Sequence, residues 1–310
     1  MKRVAVAMAF LAMAGFAFAQ RAEEPTAQMP GDEVTGRGTD EPAFSLRVVE
    51  PDGRRIQLHP TNEYQAPGEG TEDSKSIFAR RSNNLVNHGG PVIVSAKVVE
   101  IFWGSEWGTT ANPSATALTM MSFFSNFGTT AEYNVITQYS GIQKSNLTNN
   151  YWVDTTNPPT NVTDAAVQGE VSKYLSTHAI DTSTIYEVFL PSTSYASIGT
   201  STSCGGPHLQ FCAYHSNYSH SGQDVKYSSM PFPSCSGCQA SGFSTVQNLQ
   251  HFACHETREA VTDADGTAWY DRSGNEADDK CAWSPAPFID GGFGYQYEWS
   301  NATSSCVKTK

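Results

Sequence analysis

His251-Phe-Ala-Cys-His255-Glu256-Thr-Arg-Glu259-Ala-Val-Thr-Asp263 is the stretch on which the reading of this chain turns. It closes a helical window from Phe243 to Val261, in which Phe243, Val246, Leu249, Phe252 and Val261 give an apolar face. Side chains four apart lie on one side of a helix, so His255 and Glu259 point together, with Glu256 one position round. The pattern is that of the helical zinc site H-E-x-x-H with Glu in place of the second His. Alone, H-E-x-x-E also recurs by chance on solvated charged helices. The following residues add to it. Asp265-Gly266 is turn chemistry and predicts a reversal after the helix. Asn275-Glu276-Ala-Asp278-Asp279-Lys-Cys281 can then return carboxylates to the helix, although Asp265 and Asp278 also read as an acidic surface loop.

The ends of the chain and its charge narrow the class. Met1-Lys2-Arg3, an apolar run from Val4 to Phe18 and Ala17-Phe18-Ala19 predict a signal peptide over residues 1–19. The run is too short for a membrane span and gives way to polar sequence, so a secreted, extracellular protein is expected. With 19 Lys plus Arg against 31 Asp plus Glu, the net charge is −12, and losing Lys2 and Arg3 makes it more negative. That balance argues against a nucleic-acid partner, which needs basic surface. Seven cysteines stand at 204, 212, 235, 238, 254, 281 and 306. In an exported chain disulfides are expected. Short spacings favour 204–212, 235–238 and 281–306, with Cys254 left as a buried thiol, though spacing alone does not fix connectivity. Cys254 and His255 are adjacent and diverge by about 100° on a helix, which speaks against a nucleophile pair.

Residues 20–87 are rich in Glu, Pro, Gly and Thr and read as a linker or propeptide-like segment, dispensable for the fold. They contain one expected hairpin, from Phe44 through the turn Pro51-Asp-Gly to Leu58. The domain is expected to span 88–310, opening at His88-Gly-Gly-Pro91. Val92 to Trp103 reads as a central strand, and a helix follows from Pro113 to Gly128. Tyr133 to Tyr139 is a short helix or strand, and Asn146 to Asn161 is turn-rich. Thr163 or Asp164 caps a second helix with Val167, Val171, Tyr174 and Leu175 on one face. Ile185 to Leu190 is a strand, parallel to the first through a helical crossover. Gln210–His215 and Val225–Phe232 read as two shorter strands, and Gly294–Trp299 as a final one. The order predicts an α/β (α+β) fold: a single zincin-like domain with a mixed sheet, stapled by disulfides, with an edge strand lining a cleft ahead of the active helix.

Several stretches carry a resemblance: His88-Gly-Gly-Pro-Val, the Ile185 strand, Phe211-Cys-Ala-Tyr-His-Ser216 and Met230-Pro-Phe-Pro-Ser-Cys-Ser-Gly-Cys238. Cys254-His-Glu-Thr-Arg-Glu259, Ala268-Trp-Tyr270 and Glu276-Ala-Asp-Asp-Lys-Cys281 continue it. In this order, over roughly residues 88 to 300, they resemble the exordium-like (phosphate-induced) family of secreted proteins. The resemblance implies a secreted fold and a shared H-E-x-x-E site more than it implies a reaction. Ala277-Asp278 departs from the Ile-Gly usual in the family, while Glu276 and Asp279 are kept.

Two functions follow. In the first, His255 and Glu259 hold zinc with His215 or Asp279 as third ligand, and Glu256 is the proton acceptor in hydrolysis of peptide bonds in an extracellular or wall substrate. Otherwise His215 is a strand histidine at the surface, and His251 packs or faces solvent. The alternative is a non-catalytic protein that binds wall or matrix carbohydrate through Trp103, Trp107, Trp152, Trp269, Trp283 and Trp299. In that reading the carboxylates hold structural calcium, or no metal at all.

Overall fold

Alternation along the strands sets the architecture. In a strand successive side chains face opposite ways. Between Lys97 and Trp103, Val98 and Phe102 join one apolar core while Val99, Ile101 and Trp103 join another. A strand apolar on both faces has to be covered on both. The computed structural model, which describes residues 46–63 and 84–310, does this with three helices. The expected signal peptide at 1–19 lies outside the described residues.

The sheet has seven strands: β1 (Arg47–Val49), β2 (Arg55–Pro60), β3 (Lys97–Trp103), β4 (Thr148–Asp154), β5 (Thr184–Phe189), β6 (Phe211–His220) and β7 (Gln223–Met230). Their spatial order is β1-β2-β6-β7-β5-β3-β4. β7, β5, β3 and β4 run parallel, and β1, β2, β6 and β7 alternate in direction, so the sheet is mixed. The parallel pairing of β3 and β5 is as expected. Helices α1 (Ala115–Phe127) and α3 (Thr245–Thr262) cover one face, and α2 (Asp164–Leu175) covers the other. Each starts at a hydroxyl cap: Ser114, Thr163 and Ser244 accept the first free backbone N–H groups. At α3 the side chain of Gln247 also reaches back to the backbone of Ser244 and completes a capping box.

Beneath α3 the alternation has a further result. Gln57, His215, Ser228, Glu187 and Glu100 are cross-strand partners in sequence across β2, β6, β7, β5 and β3. They form a buried polar row where an apolar row would be usual. Two residues along from Gln57, His59 lies on the same face.

Several expectations are corrected. The domain does not begin at residue 88. β2 pairs with β6, Ile56 and Leu58 sit in the core on the α2 side, and Val86–Asn87 pairs with Trp269–Tyr270. Burial of those side chains outweighs the linker-like composition around them. For the same reason β6, the strand that carries His215, is not an edge strand, since β2 pairs along it. The turn-rich stretch 146–161 contains β4, because pairing to the buried β3 overrides the weak strand propensity of its Asn residues. Tyr133–Gln138 is a 3₁₀ helix. β6 and β7 join through Ser221-Gly222, both at positive φ, the backbone that a two-residue hairpin turn requires. The expected last strand splits into Phe293–Tyr295 and Glu298–Ser300, in separate two-stranded ribbons.

The disulfides are Cys204–Cys235, Cys212–Cys238 and Cys281–Cys306, with Cα separations of 5.4, 5.5 and 5.8 Å. The third is as expected. The pairs 204–212 and 235–238 do not form, although Ser236–Cys238 is a 3₁₀ turn that starts from Cys235. That turn presents one cysteine to the loop before β6 and the other to β6 itself. Cys254 is free and buried. Among the described residues no helix is long and apolar enough to cross a membrane.

Candidate metal centre

Helix α3 is buried along almost its whole length, from Asn248 to Thr262, and yet is polar on several sides. Such a helix is tenable only if each polar side chain finds a partner. On one side Arg258, fully buried, binds the carboxylate of Asp278 through two nitrogens and that of Glu298 at 2.6 Å. Asp278, which the sequence left open between a returning carboxylate and an acidic surface loop, is therefore a core residue. It also orients Gln296, whose amide nitrogen donates to the Asp278 carbonyl at 2.8 Å and to its carboxylate at 3.0 Å. The Gln296 oxygen is thereby turned to His251 Nε2 at 3.0 Å and His255 Nδ1 at 3.3 Å. A neutral His255 that donates from Nδ1 keeps its lone pair on Nε2.

That lone pair faces carboxylates. His255 Nε2 lies 3.1 Å from Glu259 Oε2 and 3.7 Å from Asp279 Oδ1. Turn chemistry explains the approach of Asp279. Gly266, at φ +74°, lets the chain reverse where a Cβ would stand 2.7 Å from Arg55 Cδ. The returning segment 276–281 then docks its Asp279 N–H on Glu259 Oε1 at 2.9 Å. From the sheet side His215 Nδ1 meets Glu256 Oε2 at 2.9 Å, with Glu259 Oε2 at 3.8 Å. Its Nε2 faces Glu276 Oε2 at 3.7 Å. Two ligand-like sets result, His255–Glu259–Asp279 and His215–Glu256–Glu259, each with ligand atoms within 4.8 Å of one another. A third set, Cys204, Cys235 and Cys238, is made of disulfide sulfurs and has no thiolate to offer.

No family model, curated protein or solved structure matches this chain. Its chemistry therefore has to be read from the side chains.

The electrostatics are one-sided. Burial, followed by neighbouring carboxylates, pushes Glu256, Glu259, Glu276 and Asp279 well above the ordinary carboxylate range. Burial brings His215 down to about 3, with the charge of His255 adding to it, and brings His251 to about 3. His255 is lowered by burial against the opposing pull of Asp278 and Asp279. The imidazoles are thus neutral at pH 7 and able to ligate. His215 Nε2, His255 Nε2, Glu256 Oε1, Glu259 Oε2, Asp279 Oδ1 and both Glu276 oxygens are buried without a hydrogen-bond partner. Each such atom costs about 1–3 kcal/mol unless something is supplied to it. A divalent cation satisfies several at once, and the donor set of imidazole and carboxylate suits zinc.

Every sequence-predicted site residue thus lies in one place. His255, Glu259 and Asp279 converge, while His215 stands against Glu256 and Glu276 rather than at a surface. Glu276 belongs to the stretch expected to return carboxylates and to the retained family positions, but not to the expected ligands. His59 falls in the stretch expected to be linker, and no motif in the sequence points to Gln296. His59 is fully buried, with its ring 4.2 Å from that of His255 and its Nε2 3.3 Å from His251 Nε2. The one signal for it was alternation in Arg55-Ile-Gln-Leu-His, with apolar Ile and Leu on the opposite face. Trp283, donating to the Pro60 carbonyl at 2.8 Å, packs against His59 and His251. Of the other tryptophans, Trp103, Trp107 and Trp299 are buried and Trp152 and Trp269 half-buried.

Proposed function

We propose that this chain is an exported zinc-dependent hydrolase of peptide bonds, with a zincin-like use of α3 and kinship to the exordium-like family. The observation that supports it is the meeting of His255 Nε2, Glu259 Oε2 and Asp279 Oδ1, from a helix and a returning loop, beside the unpartnered Glu256 Oε1. The nitrogen donor favours zinc over calcium, which takes six to eight oxygens. Peptide substrates are assigned through the likeness of the helix to H-E-x-x-H. The three disulfides and the signal-like N-terminus support export.

His255, Glu259 and Asp279 would hold the ion, which when bound supplies Lewis-acid polarisation of a carbonyl and acidifies water. The chain does the rest. Gln296 fixes the tautomer of His255, and the Asp279 N–H holds the second oxygen of Glu259 in place. His215 anchors Glu256 by Oε2 and leaves Oε1 free to accept a proton and return it to the departing amine. Burial raises this carboxyl above the ordinary range, which makes it the stronger base once ionised.

The test is metal content beside activity. Protein purified without chelator should carry zinc and cleave unfolded polypeptide, and chelation should stop cleavage. His255→Ala and Glu259→Ala should lose the ion. Glu256→Gln should keep it while its rate falls on the order of 10²-fold or more. Wild type that neither carries nor takes up metal would sink the proposal.

A further inference from the structure

His215 and Glu276 are left over by the three-ligand centre. The side chain of His215 is 3% exposed and that of Glu276 0%. His215 Nε2 and both Glu276 oxygens have no hydrogen-bond partner, and Nε2 faces Oε2 at 3.7 Å. The other nitrogen of His215 is committed to Glu256 at 2.9 Å. A neutral ring that gives its Nδ1 proton to a carboxylate presents a bare lone pair at Nε2. Ligating histidines are commonly held this way, with a carboxylate behind the ring and the ion in front.

We infer that His215 and Glu276 make a second divalent-cation position next to the first, so that the centre takes two ions of the zinc or manganese type. This rests on the proposed first position. Three features support it. For bonds of about 2.0–2.1 Å the edge of a coordination tetrahedron is about 3.3 Å, so groups 3.7 Å apart close on an ion with a small movement. Glu259, whose Oε2 lies 3.1 Å from His255 Nε2, is also the neighbouring charge that bears most on Glu276, so it stands between the two positions. The third feature is charge. Glu256, Glu259, Asp263, Glu276 and Asp279 are all buried carboxyls, and Arg258 is taken up by Asp278 and Glu298. Arg47 is the basic side chain whose charge bears on Asp263, Glu276 and Asp279. Five carboxyls gathered round one basic side chain make a place that further positive charge would stabilise. Oxygen-rich sites with one imidazole suit zinc or manganese. The competing arrangement is metal-free at this position: Glu276 shares a proton with the neighbouring Asp263.

The experiment counts ions on the full chain. Protein stripped with chelator is loaded with Zn²⁺, freed of excess by gel filtration and analysed for metal per chain. Two ions are expected in wild type and one in Glu276→Gln. One ion in both would overturn the inference, leave the first position standing and favour the shared proton. Two in both would remove Glu276 as a ligand and overturn it equally. None in wild type would sink the underlying proposal along with this one. Titration with Mn²⁺, followed by electron paramagnetic resonance, needs no variant. A spin-coupled spectrum at the second equivalent is expected, and a simple six-line signal saturating at one equivalent would refute the pair of ions.

Discussion

Glu187 shows what a single buried carboxyl does to this fold. It stands on β5 under α3, where Thr257 donates to Oε1 at 2.8 Å and Ser228 donates to Oε2. Burial pushes it up to about 7, against the opposing effect of the two hydroxyls. An unfolded chain would release this proton near the ordinary 4.5. Between those values the folded state therefore holds the extra proton, so its contribution to stability falls as pH rises from about 4.5 to about 7 and is flat beyond. Glu187→Gln keeps a hydrogen-bonding group of the same shape and removes the charge. The variant should be more stable than wild type at pH 8, by at most about 3 kcal/mol, and should lose that advantage at pH 4. Urea unfolding at both values is the measurement, and a difference that does not change with pH would refute the assignment.

At the scale of elements, the hairpin of β1 and β2 is part of the domain rather than an appendage. Leu58 is 1% exposed and packs in the core on the α2 side, so Leu58→Ala should cost about 2–5 kcal/mol in chemical denaturation. A chain beginning at Asn87 should lose cooperative melting by circular dichroism, since Phe211 and Tyr214 would be stripped of cover and β6 of its partner. Retention of wild-type melting by that chain would return the hairpin to the status of a linker. The contrast with α3 shows what a sequence displays. α3 announces itself locally, by its cap, its apolar spacing and an i, i+4 pair of ligand types, and its observed limits fall within two residues of those expected. The pairing of β2 with β6 is a non-local event, and no residue in Arg55-Ile-Gln-Leu-His names its partner. β4 was hidden for the same reason, since its polar start is outweighed by parallel pairing to β3. Within the centre, His255, Glu256 and Glu259 were legible from helical periodicity. The return of Asp279 was legible from turn chemistry. Glu276 depends on how an irregular segment docks, and His59, whose face alternation gives, on a non-local strand pairing that periodicity does not encode.

Taken as one molecule, the chain divides its covalent and non-covalent fastening unevenly. Cys204–Cys235 and Cys212–Cys238 tie β6 and the loop before it to a single turn, and Cys281–Cys306 fastens the segment that follows the Asp279 loop. Cys254 has no sulfur partner, and burial pushes its thiol up to about 12. Thiol titration without reductant should find one reactive group per chain after denaturation and almost none before it. Three or more would contradict the pairing. No disulfide reaches β2, whose attachment is made of core packing, backbone pairing and bonds such as Ser216 Oγ to the Arg55 carbonyl across 161 residues of sequence. That distance has a meaning in time as well as in space. As the polypeptide is made from its N-terminus, Ile56 and Leu58 emerge long before β6 exists, and they wait uncovered while the partner strand is still being translated. The hairpin is thus synthesised well before the strand that covers it, and His59 can arrive against His255 only once α3 has also been completed. An interrupted or slowly delivered chain would display this apolar ribbon to chaperones, or to other copies of itself, for as long as the remainder is missing.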